Sequence, residues 1–202
     1  MFAILQAAGW PIWPLLFASI LAVALIIERL VTLRAPKVVP AGLVQRVIGE
    51  VRERGANDAL AQNLDRHSPL GRVLAAAVRN VGSTRELMKE SVEEAGRAAA
   101  HELERYLTTL GTIASVSPLM GLFGTVVGMI EIFGASSPGG ANPQQLAHGI
   151  SVALYNTGFG LMIAIPSLIA WRHFRAQVDS FVVEMEQQAV RLVDTLQLDR
   201  NR

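Results

Sequence analysis

The chain has 202 residues, 51% hydrophobic and 17% charged, and its 18 basic and 17 acidic side chains leave a net charge of +1. That length bounds it to one or two compact units, and high hydrophobicity with low net charge excludes disorder. The basic excess of a nucleic-acid binder is missing, and with no cysteine there is no disulfide framework, thiolate nucleophile or cysteine–zinc site. The positions of the charges say more than their number. Residues 1–27 carry none, residues 28–105 carry 24, residues 106–171 carry one (Glu131), and residues 172–202 carry ten. A soluble protein gives every helix a wet face; alternating dry and wet blocks describe a membrane protein with charged segments outside the bilayer.

The first predicted span covers residues 10–27, with Ser19 its one polar residue and Trp10 and Trp13 at its start, where interfacial aromatics belong. Ala22-Val23-Ala24 has the small-x-small pattern of a signal-peptide cleavage site. The absence of a positive n-region favours an uncleaved anchor instead. Pro36 and Pro40 then break the chain, and residues 41–54 suit a helix ended by Gly55. Ser68-Pro69 reads as an N-cap with proline at the first helical position, and Gly82 as the close of that helix. Ser83-Thr-Arg-Glu86 reads as a capping box. No breaker follows until Pro118, so this helix is expected to run straight into the second span. Met88, Val92, Ala95, Ala99, Leu103, Tyr106 and Leu110 form its apolar stripe.

The second span falls in residues 106–133 and the third in residues 149–171, with the turn-rich Gly134-Ala-Ser-Ser-Pro-Gly-Gly-Ala-Asn-Pro143 between them. Pro118 and Pro166 are tolerated there as kinks. The third span is expected to continue into a tail helix lined by Phe174, Val178, Phe181, Met185, Leu192 and Leu196. All 18 Lys and Arg lie in residues 28–105 or 172–202. The positive-inside rule therefore puts the N-terminus and the 134–148 loop outside and both charged segments in the cytosol. The expected organisation is an external N-terminus with the first membrane helix (1–28), a cytosolic helical segment (29–105), a second membrane helix (106–133), an external loop (134–148), a third membrane helix (149–171) and a cytosolic C-terminal helix (172–202). The fold class is all-α, with three membrane helices and long helices projecting into the cytosol.

On a helical wheel, Ala114, Ser117, Gly121, Gly124, Thr125 and Gly128 share one side of the second span. Gly149, Ala153, Asn156, Thr157, Gly160, Ala164 and Ser167 share one face of the third. Small residues let helix backbones approach closely, and Gly124-x-x-x-Gly128 has the usual spacing. The glycines read first as helix packing. Thr125, Asn156 and Thr157 suit a polar path as well as they suit helix-to-helix glue. Glu131 is the one charge in 66 residues (106–171), and ionisable groups in membranes are expensive and usually functional. Its place near the outer end of the span also fits a plain interfacial carboxylate.

Ser117-Pro-Leu-Met-Gly-Leu-Phe-Gly-Thr-Val-Val-Gly-Met129 resembles the second-span signature of the ExbB/TolQ/MotA proton-channel family. Gly149-Ile-Ser-Val-Ala-Leu-Tyr-Asn-Thr-Gly-Phe-Gly-Leu-Met-Ile-Ala-Ile-Pro166 is similar to its third-span signature. Order, spacing and intervening loop match over essentially the whole chain, with length and topology nearer to ExbB and TolQ than to MotA. The resemblance implies a multi-pass inner-membrane subunit of a proton-driven motor in a Gram-negative bacterium, a homopentamer around a pore that holds a dimer of an ExbD-like (or TolR-like) single-span partner. TonB or TolA would carry the work to the outer membrane, for uptake of iron-siderophore complexes and vitamin B12 in the TonB case. The family's pore threonines match Thr125 and Thr157. The implied pore wall is Thr125, Thr157, Asn156, Gly121, Gly124, Gly128, Ala153 and Gly160. Many members have Glu in Gly-Ile-x-Glu-Ala-Leu, where this chain has Val152, and Glu131 is the candidate to replace it. The essential proton carrier would then be an Asp on the partner's helix.

Other classes fit less well. His101-Glu102 begins an HExxH pattern, but position 105 is Arg, and His67, His101, His148 and His173 lack ligand spacing, so neither a metal nor another cofactor nor an enzyme activity is expected. A non-conducting scaffold would share the small faces without needing Thr125 and Thr157. Arg29, Arg34 and Lys37 read as a topology anchor that also suits anionic lipid heads.

Overall fold

The computed structural model describes residues 9–134 and 143–200. The expected external tip up to residue 8, and positions 135–142 of the expected loop, lie outside the described residues. All elements among the described residues are helices: α1 (Ile12–Thr32), α2 (Ala35–Val38), α3 (Leu43–Arg54), α4 (Asp58–His67), α5 (Pro69–Arg79), α6 (Arg85–Glu104), α7 (Leu107–Gly134) and α8 (Pro143–Arg200). The chain divides into two units, an apolar one of residues 1–28 and 106–173 and a charged one of residues 29–105 and 174–202.

Among the described residues, three helices are long and apolar enough to cross a membrane. In the apolar unit α1 buries Ile12, Leu15 and Ala22 and exposes Trp13, Phe17, Ile20, Val23 and Ile27. So broad an apolar exterior suits hydrocarbon as the solvent. Trp10 sets its ring edge-on to Phe123, with centroids 5.9 Å apart. Helix α7 exposes Leu119, Leu122, Val126 and Ile130 and buries its small residues, and α8 does the same with Leu154, Leu161, Ile165 and Ile169 outside. Both helices continue through their prolines, Pro118 and Pro166.

The charged unit is a small-helix assembly with a conventional core. Helix α3 lies between two glycines of positive φ, Gly42 (76°) and Gly55 (74°). Asn57 caps α4, its side-chain oxygen accepting from the Leu60 N–H at 2.8 Å. Ser68 caps α5, accepting from the Gly71 N–H at 3.0 Å, with Pro69 at the first position. Gly71 is required here, since a Cβ would strike the Leu64 carbonyl. Helix α5 closes at Asn80, whose N–H bonds back to Ala77 and Val78, two residues before the expected Gly82. The expected capping box is displaced by one residue: Thr84, not Ser83, accepts from the Leu87 N–H, at 3.3 Å. Leu70, Val73 and Leu74 of α5, Met88, Val92, Ala99 and Leu103 of α6, and Phe174, Val178, Phe181, Met185, Leu192 and Leu196 of α8 are all buried. Ion pairs hold the end of α8: Arg52 grips Asp199 through two bonds of 2.7 and 3.1 Å, and Arg85 bonds Asp194 at 2.6 Å.

The expectation of one helix from the 83–86 cap to Pro118 is corrected. Helix α6 stops at Glu104, Tyr106 adopts φ +67°, and α7 starts at Leu107. Tyr106 is the one described non-glycine residue with positive φ, a conformation that costs an L-residue about 1–2 kcal/mol. The third-span helix is unbroken over 58 residues, from six positions before the expected start of the span to Arg200.

Candidate functional site

The site lies within the apolar unit, where α7 and α8 run antiparallel and the two small-residue faces meet. The contact register is read from the glycines. A Cβ on Gly121 would stand 2.8 Å from the Asn156 carbonyl oxygen, and one on Gly160 would stand 2.6 Å from that of Ser117. A Cβ on Gly124 would lie 2.5 Å from the Asn156 Cβ, and Gly128 faces Gly149 and Ala153. The backbones therefore touch at Gly121 and Gly160, and Asn156 fills the notch left by Gly124. Such approach needs glycine on both helices, because even a methyl group would have to push backbone aside.

Gly121, Gly124, Gly128, Ala153, Asn156 and Gly160 are buried in this helix–helix contact. Asn156 is fully buried, with Nδ2 donating to the Val152 carbonyl at 3.0 Å. Thr157 is half-buried at the edge of the contact, and its hydroxyl donates across to the Gly121 carbonyl at 3.4 Å. Thr125 is also half-buried and donates to the Leu122 carbonyl of its own helix at 2.7 Å. The structure thus separates the predicted set into an inner group that joins the helices and a pair of threonines at the margin. Three- and four-residue spacing identified both groups but not the division between them, which depends on the crossing angle.

Glu131 is exposed near the C-terminal end of α7, and Val152, at the position where the family pattern often has Glu, is buried. The register that sets Gly128 between Gly149 and Ala153 puts Glu131 about one turn, roughly 6 Å, nearer than Val152 to the C-terminal end of α7. Among the described residues no group of His, Cys, Asp and Glu is arranged to hold a metal ion.

Two neighbours of the site were not singled out from sequence. Ser117 is 2% exposed, and its hydroxyl has no hydrogen-bond partner among the described residues. Ser115, Ser151 and Ser167 instead return their proton to the preceding turn, Ser167 to the Ile163 carbonyl at 2.7 Å. Trp171 lies flat against Gly111, where a Cβ would meet its indole nitrogen at 2.9 Å. Ser117 was visible on the small-residue face of the wheel; the Trp171 contact left no local signal.

Several known proteins are similar to this chain. Residues 65–187 match the MotA/TolQ/ExbB proton channel family. The chain is 37% identical over 176 residues to an ExbB-like biopolymer transport protein of Synechocystis, covering 85% of this chain and 83% of that one. It is 29% identical over 187 residues to the biopolymer transport protein exbB1 of Vibrio cholerae, covering 90% and 82%. A shorter match, 43% over 79 residues, joins it to the Tol-Pal system protein TolQ of Haemophilus influenzae, covering 39% of this chain and 35% of that one.

Proposed function

The chain belongs to the MotA/TolQ/ExbB proton channel family, and we propose that it is the inner-membrane subunit of a motor driven by the proton-motive force. In this reading it assembles as a homopentamer around a pore. A dimer of an ExbD-like single-span partner occupies the pore, and a TonB-like protein draws energy from the complex for transport across the outer membrane. Iron-siderophore complexes and vitamin B12 are the cargo class. The N-terminus is external and the C-terminus cytosolic, as supported by the exclusion of all 18 Lys and Arg from residues 1–27 and 106–171.

One observation carries the proposal. Two hydroxyl side chains, Thr125 and Thr157, stand at the rim of a glycine-locked helix pair, beside exposed Leu122, Val126, Leu154 and Leu161. Gly121, Gly124, Gly128, Ala153, Asn156 and Gly160 fix the wall, and the threonines offer protons a polar foothold on it. Hydroxyls relay a proton but do not store one at neutral pH. The titrating group at mid-membrane therefore comes from the partner, and Glu131 serves the outer mouth.

Reconstitution in liposomes with the partner tests this. The double change Thr125→Val, Thr157→Val removes both hydroxyls at nearly constant volume. It should leave assembly intact and cut proton flux by about a hundredfold or more. Undiminished flux would instead support a non-conducting scaffold. The chain without its partner should conduct poorly, and robust flux from it alone contradicts the scheme. A second reading, a TolQ-like subunit of a Tol-Pal envelope system, has the 43% identity to TolQ in its favour. Co-purification with a TolA-like rather than a TonB-like protein decides for it.

A further inference from the structure

Ser117 lies on the buried face of α7 that also carries Ala114, Gly121, Gly124 and Gly128, the face packed against α8. It is 2% exposed, and its hydroxyl has no hydrogen-bond partner among the described residues. Nearby hydroxyls on the same helix find one in the preceding turn. Ser115 donates to the Gly111 carbonyl at 2.9 Å, and Thr112 to that of Thr108 at 2.9 Å. Leaving a buried hydroxyl unpaired costs about 1–3 kcal/mol.

The next residue is Pro118, inside an otherwise continuous helix. Proline has no N–H for the carbonyl four residues back, and its ring pushes that carbonyl aside. The carbonyl is that of Ala114, a residue 5% exposed. Helical side chains lean toward the N-terminus, so Ser117 stands over the turn that carries this carbonyl. One turn of α7 thus buries a hydroxyl without a partner and a carbonyl without its ladder donor. The facing wall is made of small residues. A Cβ on Gly160 would lie 2.6 Å from the Ser117 carbonyl oxygen. The antiparallel register then brings Ala164, also buried, to the level of Ala114.

We propose that the Ser117 hydroxyl and the Ala114 carbonyl hold a water molecule inside the α7–α8 seam. Size limits the ligand, since the seam tolerates no methyl group on Gly160. Chemistry points the same way. The carbonyl only accepts, and the hydroxyl donates or accepts. A neutral molecule that does both satisfies the pair, whereas an ion would lie uncompensated. Buried water takes up such unpaired groups in folded proteins. Resting on the proton-conducting reading, this water is the next polar step after Thr157. Thr157 donates to the Gly121 carbonyl, and Ser117 is one turn, about 6 Å, farther toward the N-terminal end of α7. A proton that arrives on the water oxygen is matched by one leaving on the far side, so the water is regenerated.

Water-edited solid-state NMR of the full chain in lipid bilayers tests the site, with water itself as the probe. Magnetisation should pass from water to the Ser117 Cβ and the Ala114 carbonyl carbon. Ser117→Ala, a smaller residue with no unpaired group, should fold and lose the Ala114 signal. Pro118→Ala returns an N–H to that carbonyl and should weaken the signal with the hydroxyl still present. No transfer to either atom in wild type, in samples where the exposed side chains of the charged unit are reached, overturns the site. An Ala114 signal unchanged in both variants overturns it too. Ser117→Ala should also cut partner-dependent proton flux several-fold, and unchanged flux overturns the relay. Failure of the proton-motor reading is told apart, because the transfer to Ser117 and Ala114 needs no flux.

Discussion

The two units solve the same packing problem with different chemistry. In the charged unit, water drives the apolar faces of α5, α6 and α8 together, and large side chains such as Leu74, Met88, Phe174 and Leu192 fill the centre. At the α7–α8 contact of the apolar unit Leu119, Leu122, Leu154 and Leu161 point outward, and the seam is made of glycine, alanine and a buried amide. Hydrocarbon gives no reason to hide leucine, so close backbone contact and satisfied polar groups must hold α7 to α8. The lesson is that large apolar residues mark the centre of the charged unit, whereas small residues mark the α7–α8 contact.

The contrast is broken most sharply at Gly160. Gly160→Leu should abolish the α7–α8 contact, because the added side chain meets the Ser117 carbonyl and Gly121. Loss of monodisperse protein in size-exclusion chromatography checks it, and a normal elution profile would mean the two backbones are not in contact. The charged unit has one comparable close approach, at Gly71. Gly71→Ala should cost about 1–3 kcal/mol, read as a lower melting temperature with the membrane spans still protected. Glu131→Gln should reduce partner-dependent proton flux by several-fold, about 1 kcal/mol of barrier; full activity leaves Glu131 a simple interfacial carboxylate. The smallest effect belongs to the surface ion pairs. Asp199→Asn should speed exchange only over the last turns of α8, and salt should do the same to wild type.

That last pair also fixes a sign. The hydrogen bond and charge of Asp199 hold the Arg52 guanidinium above its ordinary value. A raised basic group contributes fully below its unfolded value and loses that contribution only as pH rises through the folded one. The arginine side of the pair should therefore be indifferent to pH across the neutral range.

How much the sequence disclosed depended on how local each cause was. The Ser68 cap, the tail stripe from Phe174 to Leu196 and the small faces of the spans follow from neighbours within a turn or two, and each could be read directly. Helix α4 was missed although Asn57-Asp58 is a fair starting signal, because its ten residues, ended by Ser68-Pro69, give a short apolar period. The Thr84 cap was misplaced by one residue because Ser83 and Thr84 are chemically interchangeable in that role. The break at Tyr106 was invisible, because no proline or glycine marks it and tyrosine does not favour a positive φ. In the site, the wheel grouped the residues of both small faces and could not tell inner from marginal, which only the register of Gly121 on Asn156 and Gly160 decides.

The uninterrupted length of α8 has a mechanical consequence. Fifty-eight residues at 1.5 Å each make a rod of about 87 Å, with Pro166 some two-fifths of the way along. A proline removes one ladder bond and softens a helix at that point, so Pro166 is a natural fulcrum. The longer arm, from Pro166 to Arg200, is about 50 Å, and a tilt of roughly 10° there would carry its end about 9 Å.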